Sequence, residues 1–351
     1  LSIDKNFWKE KKVLITGHTG FKGSWLTLFL KYLGADIYGI SREEKEGIYK
    51  KANLKGLLNE NIYLDLADVQ KKDLYSTIDR INPDIVFHLA AQSLVYVGYT
   101  NPLDTLNSNI IGTYNLLEAS KKIKSIIIST TDKVYKNSEV DNNEDSELGG
   151  KDFYSASKVG TENVIEAFKK MESSCYISTV RSGNVIGGGD RAEKRLVTEL
   201  INSLINNKDF ILRKPDSIRP WQSVFDSIYG YLLIAEENNK KGIGEVYNLN
   251  SKLNNKFTSS YLSKSFIKEW GSQIRIINEE NEKFKEVDKL KIDSSKAEKR
   301  LGWKPETSIE DLVSKTVEWE KNYINKNNFE FSLKQVEEYI NKINDLRNQI
   351  T

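Results

Sequence analysis

The sequence predicts an α/β chain built on a doubly wound parallel sheet, with a smaller, discontinuous C-terminal lobe. Three observations carry that prediction. Short, nearly continuous apolar runs recur through the first two thirds of the chain, amphipathic stretches separate them, and a glycine-rich turn joins the first run to the first helix. Strands buried on both faces read as continuous β-branched runs, and the helices between them are the crossovers that a parallel sheet requires.

Residues 13–16, 36–40, 62–64, 85–89, 126–129 and 176–180 read as the buried strands. Trp25, Leu28, Phe29, Tyr32 and Leu33 recur at helical spacing, and Gly34 is placed to cap that helix. Helical patterns begin again at Asn115, Leu116, Leu117 and Glu118, and cover residues 156–170. Beyond Gly187 the pattern loosens into a helix over 195–206, a strand over 210–213, a helix over 224–238 and a strand over 245–249. A mixture of helices and short extended pieces then runs to Tyr323. Past Asn325, Phe331, Val336, Tyr339, Ile340 and Ile343 keep a helical period and predict a terminal helix. The expected organisation is a main domain over 8–186 with returning segments near 224–250, a second lobe mainly over 187–323, and a helical extension over 325–351.

Composition narrows the function classes. The 52 basic and 50 acidic residues leave a formal charge of +2, which offers no electrostatic footprint for nucleic acid or a membrane surface. Cys175 is the only cysteine, so the chain forms no intramolecular disulfide and no thiolate metal cluster, and Cys175 reads as a buried spectator. His18 and His88 sit in different motifs, so no metal site is expected. No apolar run reaches membrane-spanning length and no secretory core precedes the first strand, so the expected location is cytoplasmic.

The turn Gly17-His18-Thr19-Gly20-Phe21-Lys22-Gly23 follows a strand and opens a helix. Glycine permits a tight turn and close approach of a pyrophosphate, and the helix N-terminus offers unpaired N–H groups to it. This is the Rossmann-like arrangement for a dinucleotide, with Lys22 read as a solvent-facing residue at the helix start or as a charge that helps to neutralise phosphate. At the end of the second strand, Ser41 and Arg42 can hold a 2′-phosphate, or Arg42 can stack on adenine, so NAD and NADP both remain open at this point. Asp65 can accept from the adenine amino group or cap its own loop.

Tyr154 and Lys158 are four residues apart, so one helical face carries both. An ammonium so placed is expected to lower the phenol pKa and to bond a nicotinamide ribose, leaving a phenolate as base toward a sugar hydroxyl. The run Ser129-Thr130-Thr131-Asp132-Lys133 ends a central strand, where ligand crevices form in such sheets. There Thr131 can donate to a substrate oxygen, Asp132 can act as an acid, and Lys133 can act as an acid/base or electrostatic group. Alternatively, the three form an Asx-type turn.

The phosphate loop, Thr131-Asp132-Lys133, Tyr154/Lys158 and Gly183-Asn184-Val185-Ile186-Gly187-Gly188-Gly189-Asp190 together resemble the CDP-glucose 4,6-dehydratases. These form a group in the nucleotide-sugar branch of the extended short-chain dehydrogenase/reductases. The likeness continues through Arg219-Pro220-Trp221-Gln222 and Leu301-Gly302-Trp303-Lys304-Pro305. It implies NAD as cofactor and a nucleotide sugar, CDP-glucose first, as substrate. The implied cofactor contacts are Gly17, Thr19, Gly20, Phe21, Gly23, Asp65, Leu66, Leu89, Ala90, Ala91, Asn109, Thr130, Tyr154 and Lys158. It also implies Asn184, Arg195 and Arg219 at the nucleotide diphosphate, with Gln92 near the sugar, and a homodimer formed through helices near 103–119 and 154–168.

Three departures lie on the substrate side. Ser93-Leu94-Val95-Tyr96 follows Gln92 where the group commonly has Pro-Leu-Val-Arg, Arg191 replaces a Trp, and Ser223 replaces a His. A different base or sugar, a nucleotide-sugar 4-epimerase, and a cofactor-binding subunit without catalysis are the competing readings.

Overall fold

The computed structural model describes residues 3–68, 71–136, 140–171, 174–251, 257–279, 291–325 and 328–348. Eleven strands occur among them: β1 (Lys12–Thr16), β2 (Asp36–Ser41), β3 (Glu60–Tyr63), β4 (Ile85–His88), β5 (Ser125–Ser129), β6 (Tyr176–Ser182), β7 (Val185–Ile186), β8 (Phe210–Leu212), β9 (Gln222–Ser223), β10 (Val246–Leu249) and β11 (Ile276–Asn278). Seven form the main sheet, in the order β10-β6-β5-β4-β1-β2-β3. All of its pairings are parallel. The expected doubly wound sheet is therefore present, and the strand order reverses between β1 and β4.

Side-chain alternation sends each strand's apolar groups to both faces. Val13 and Ile15 of β1, Ile85 and Phe87 of β4, and Ile127 of β5 join one core. Leu14, Val86, Ile126 and Ile128 join the other. The first face is covered by the helices Phe21–Leu33 and Val224–Lys241, the second by Lys71–Ile81, Gly112–Ala119 and Phe153–Met171. The helix Lys71–Ile81 adds to the elements expected from sequence; its buried Leu74, Ile78 and Ile81 lie on one helical face. Gly34 caps Phe21–Leu33 in the left-handed conformation, at φ 85°, as expected of that glycine.

The second lobe packs the helices Leu196–Ile205, Ser259–Trp270 and Ile309–Asn325 around their own core. Two small parallel pairings, β8 with β11 and β7 with β9, join segments far apart in sequence. The terminal helix Asn328–Asn348 packs on the main body: Val336, Tyr339, Ile340 and Ile343 are buried in the same core as Phe29 and Phe225. Tyr339 donates to Asp226 Oδ1 at 2.8 Å, and Trp303 Nε1 donates to the Asp226 carbonyl at 2.9 Å. Among the described residues no helix is long and apolar enough to cross a membrane.

Candidate functional site

The site begins where β1 and β4 part. Gly17 has φ 76°, and a Cβ there would lie 2.6 Å from the Ala90 nitrogen, so only glycine lets the two strand ends approach. A Cβ on Gly23 would lie 2.2 Å from the Gly17 carbonyl oxygen, so the first turn of Phe21–Leu33 closes against its own loop. Gly20 is the N-cap and contributes no side-chain bond, which leaves the first amides of a 13-residue helix directed into the opening.

From this loop a cleft of about 1520 Å³ runs over the carboxyl ends of the strands to the second lobe. Sites for one small molecule occupy roughly 300–1,000 Å³, so this cleft suits two ligands end to end. Gly17, Thr19, Gly20, Phe21, Gly23, Ser41, Arg42, Asp65, Leu66, Leu89, Ala90, Ala91 and Thr130 line its first half. Thr131, Asp132, Lys133, Tyr154 and Lys158 line its centre, and Gln92, Asn184, Arg195 and Arg219 line its lobe side.

Asn109 alone among the expected residues lies behind the cleft wall. It occupies a π-helical turn, Asn107–Ile111, between the helices Pro102–Leu106 and Gly112–Ala119. Its Oδ1 accepts from the Gln92 amide at 2.9 Å, and its Nδ2 donates to the Gln92 carbonyl at 3.0 Å and to Ser157 Oγ at 2.8 Å. Both amide protons are thus committed, and Asn109 braces the cleft wall without lining the cleft itself. Gln92 is similarly engaged: Nε2 donates to the Leu94 carbonyl and Thr105 Oγ1, and Oε1 accepts from the Leu94 amide. It can offer a ligand only a remaining acceptor position.

Arg42 reaches Asp65 at 2.9 Å and Asp104 at 3.2 Å, so its charge is already matched by two carboxylates. Ser41 Oγ bonds His18 Nδ1 at 3.1 Å, and the other ring nitrogen meets Asn61. Burial lowers the pKa of His18, and it lowers that of His88 to about 3, with the Lys158 charge adding to the effect. Both rings are therefore neutral. His88 is wedged between Thr16 Oγ1 at 2.7 Å and Thr113 Oγ1 at 2.9 Å.

The central residues come from two elements. Thr131, Asp132 and Lys133 follow β5 on a short 3-10 turn, which Thr131 caps by accepting from the Lys133 amide. Thr131 Oγ1 also donates to Asp132 Oδ1 at 3.1 Å. Asp132 is 3% exposed, and burial raises its pKa to about 6 against the opposing charges of Lys133, Arg219 and Lys22. A carboxyl so placed is a competent proton donor near neutrality.

Tyr154 and Lys158 enter from the helix Phe153–Met171, on one face as expected. The depressed phenol does not follow. Burial raises the Tyr154 pKa to about 12; a hydrogen bond to Thr131 and the Arg195 charge pull it down, while Asp132 and Asp152 add to the rise. Lys158 instead donates to the Ser129 carbonyl at 3.1 Å. Its own pKa is lowered to about 8, first by burial and then by Lys22.

Lys22 is the central residue that sequence reasoning misplaced. It points inward and donates to Ser182 Oγ at 3.0 Å and Tyr231 Oη at 3.2 Å; Tyr231 Oη lies 2.9 Å from Ser129 Oγ. Its signal was positional, the first helical turn beside the loop. Because the Lys22 charge depresses Lys158, Lys22→Met is expected to raise the Lys158 pKa by on the order of one unit. Isotope-edited NMR of lysine side chains, titrated with and without the substitution, checks this. An unchanged titration refutes it.

Arg191, one of the departures, has a structural explanation. Its guanidinium binds Glu320 through two bonds of 2.9 and 2.6 Å and lies 4.6 Å from the Tyr323 ring centroid. Glu320 Oε1 also accepts from the Gly189 amide at 2.9 Å. Arg191 thereby ties the glycine-rich turn to the helix Ile309–Asn325. Arg191 and Arg195 both line the cleft, and Arg195 bonds Asp190 at 3.0 Å.

Fold and cleft together define an enzyme of the dehydratase and epimerase branch of the extended short-chain dehydrogenases. Residues 14–316 match the family model described as GDP-mannose 4,6 dehydratase. The chain belongs to that family. It is 36% identical over 339 residues to a CDP-glucose 4,6-dehydratase of Salmonella typhimurium, covering 92% of this chain and 94% of that one. A dTDP-glucose 4,6-dehydratase of the same organism is 28% identical, covering 88% and 92%. Among solved structures, a UDP-glucose 4-epimerase of Thermotoga maritima with UDP-glucose superposes with a TM-score of 0.77 at 26% identity, covering 89% of this chain and 98% of that one.

Proposed function

We propose that this chain is an NAD-dependent nucleotide-sugar 4,6-dehydratase, with CDP-glucose as its first candidate substrate. The observation that carries the reading is Asp132, a buried carboxyl whose pKa is raised to about 6, which accepts from the Thr131 hydroxyl at 3.1 Å and acts electrostatically on Tyr154. An epimerase needs the Tyr154/Lys158 pair but no such acid. The 36% identity with a CDP-glucose 4,6-dehydratase supports the same substrate.

The phosphate loop fits a dinucleotide, because two of its glycines sit where any Cβ would strike backbone. Asp65 and Arg42 would flank the adenosine end, and Lys158 the nicotinamide ribose. Arg42 is already charge-matched by Asp65 and Asp104 and so has less to offer a 2′-phosphate, which favours NAD over NADP. Bound there, NAD would supply the reversible two-electron redox chemistry that C4 and C6 of the sugar require.

The chain's own groups move the protons. Tyr154 Oη, once ionised against its raised pKa of about 12, would receive the C4 hydroxyl proton, with the Thr131 hydroxyl beside it. The C4 ketone makes the C5 proton acidic. Lys133 would take that proton, and the ammonium so formed would stabilise the enolate. Asp132 protonates the C6 hydroxyl, whose C–O bond breaks to release water. A proton then returns to C5. Arg195, Arg219 and Asn184 would hold the diphosphate, guanidinium geometry suiting two oxygens at once.

A second copy of the chain is the expected partner. Leu103, Ile111 and Tyr114 are exposed within residues 103–119, one of the segments expected to pair, and Tyr99 and Phe153 are exposed just ahead of the segments 103–119 and 154–168.

The test is incubation with CDP-, UDP-, GDP- and dTDP-hexoses, with and without added NAD, followed by mass spectrometry. A product one water lighter, without net NADH, supports dehydration and names the substrate. Unchanged mass with altered configuration moves the assignment to the epimerase that the Thermotoga likeness suggests.

A further inference from the structure

Beside Asp132 lies a group of buried polar side chains that the reaction described above does not use. Asn250 and Gln222 are 3% and 1% exposed, and neither lines the cleft. All four of their side-chain nitrogen and oxygen atoms are buried without a hydrogen-bond partner among the described residues. Their backbones, by contrast, are fixed. The Asn250 amide donates to Ser294 Oγ at 3.1 Å, and the Gln222 amide donates to the Asn184 carbonyl at 3.0 Å.

Gly183 links these groups to Asp132. A Cβ built on it would stand 2.7 Å from Asp132 Oδ2, 3.0 Å from Asn250 Oδ1 and 3.3 Å from Asn250 Nδ2. The carboxyl and the carboxamide therefore share the space that glycine leaves open. Strand register explains the meeting: Leu249 of β10 pairs with Ser182 of β6, so Asn250 and Gly183 leave the sheet together. The Gln222 backbone lies opposite Val185, two residues beyond Gly183, because β9 pairs with β7.

Unpaired buried amides are costly, and native proteins satisfy such groups with internal water that makes about three hydrogen bonds. A carboxamide suits this position because it offers both a donor and an acceptor, so it can serve a carboxyl group in either protonation state. An acid that gives up a proton and regains it in each turnover needs such a neighbour.

We propose that Asn250, supported by Gln222, is a positioning residue for Asp132, acting through internal water held over Gly183. This rests on the dehydratase reading for the role of Asp132, and on the geometry alone for the contact. The proton Asp132 gives leaves with the C6 hydroxyl oxygen as water. An equivalent proton returns from solvent, because Tyr154 sheds the one it took from the C4 hydroxyl. The other charged and titratable groups acting on Asp132 are Lys133 on its own turn, Arg219 from the loop before β9, Lys22 from Phe21–Leu33 and Tyr154 from Phe153–Met171.

The experiment compares the full-length chain with Asn250→Leu and Asn250→Ser, after thermal melting and NAD-binding controls. Asn250→Leu removes the polar contact at similar volume; it is expected to lower kcat on CDP-glucose about 10- to 100-fold with KM unchanged. It should also move the alkaline fall of kcat to higher pH, since a drier carboxyl ionises later. CDP-6-deoxy-6-fluoroglucose, whose fluoride leaves without a proton, should react at an undiminished rate. Asn250→Ser, which keeps a polar group and leaves room for another water, should stay within about threefold of the parent and serves as the second variant if the leucine chain does not fold.

An equal loss on both substrates, or no loss from the leucine chain, overturns the proposal; so does a serine chain that has lost its activity. One readout is independent of turnover: the carboxyl infrared band of Asp132, assigned by its disappearance in Asp132→Asn. If CDP-glucose is not dehydrated but Asn250→Leu still shifts the pH at which this band titrates, the functional reading falls and the positioning role stands. A band that does not move removes the positioning role whatever the substrate.

Discussion

An Asp132→Asn chain is expected to lose about 10²–10⁴-fold in elimination rate while becoming more stable at neutral pH. The two effects have one cause. Burial raises the Asp132 pKa from 3.8 to about 6, so the folded chain binds the proton more tightly than the unfolded chain does. Folding stability therefore falls as pH rises through the interval between those values, and above about 6 the folded protein carries an ionised carboxylate in a desolvated place. A shift of roughly two units corresponds to roughly 2–3 kcal/mol, an upper figure for what the isosteric amide recovers. Denaturant unfolding at pH 5 and pH 8 checks the sign: the stability gain of Asp132→Asn should be larger at pH 8. In the parent chain, activity limited by this acid should decline as pH rises through about 6. Equal stability of both chains at pH 8 would refute the argument, as would an amide chain with full activity.

Glu162→Leu is expected to destabilise the fold by about 3–5 kcal/mol, because it strands Arg181 without its counter-charge. The two side chains are 5% and 4% exposed. The Glu162 carboxylate accepts from Arg181 Nε at 2.9 and 3.0 Å, from an Arg181 terminal nitrogen, and from Thr130 Oγ1 at 2.7 Å. Arg181 also donates to Tyr135 Oη and to the Glu144 carbonyl, each at 2.9 Å. Tyr135 in turn donates to Asn248 Oδ1 at 2.7 Å. The network thus fastens β6, β10 and the helix Phe153–Met171 to the residues on either side of Thr131 and Asp132. Replacing both ions, as Glu162→Leu with Arg181→Met, should recover most of the stability, since apolar packing substitutes well for a buried pair. The double chain should still turn over more slowly, because Thr130 loses its anchor. Urea unfolding of both single chains and the double chain measures the coupling. Additive losses would show that the pair does not act as a unit.

Thr130 illustrates how far the sequence could be read. Its place at the end of a central strand is a local fact, visible in the apolar run before it. That its hydroxyl is bound to Glu162 depends on a helix more than thirty residues later. The same division recurs. Strands β1, β2, β4, β5 and β6 were legible because a strand covered on both faces must be apolar throughout, although Leu89 falls just past the end of β4. Strand β3 begins two residues before its apolar segment, since its partly exposed edge position lets Glu60 and Asn61 join the ladder. The pairing of β8 with β11 carried no local signal: three-residue strands have too few positions to show a period.

The site divides in the same way. The amino-acid sequence by itself determined the phosphate loop, the Tyr154/Lys158 face, the Thr131-Asp132-Lys133 turn and the terminal helix. Each is encoded in the spacing of a few consecutive residues, which backbone geometry converts directly into position. Only the tertiary structure decided that Lys22 turns inward, that Asn109 is spent on Gln92 and Ser157, that Arg191 binds Glu320, and that the terminal helix packs on its own chain. It also decided the charge states, raising Tyr154 to about 12 and lowering Lys158 to about 8. Spacing says which residues share a face. What those residues meet, and how much water they lose, is a sum over segments far apart in the chain, and that sum exists only once the segments have packed.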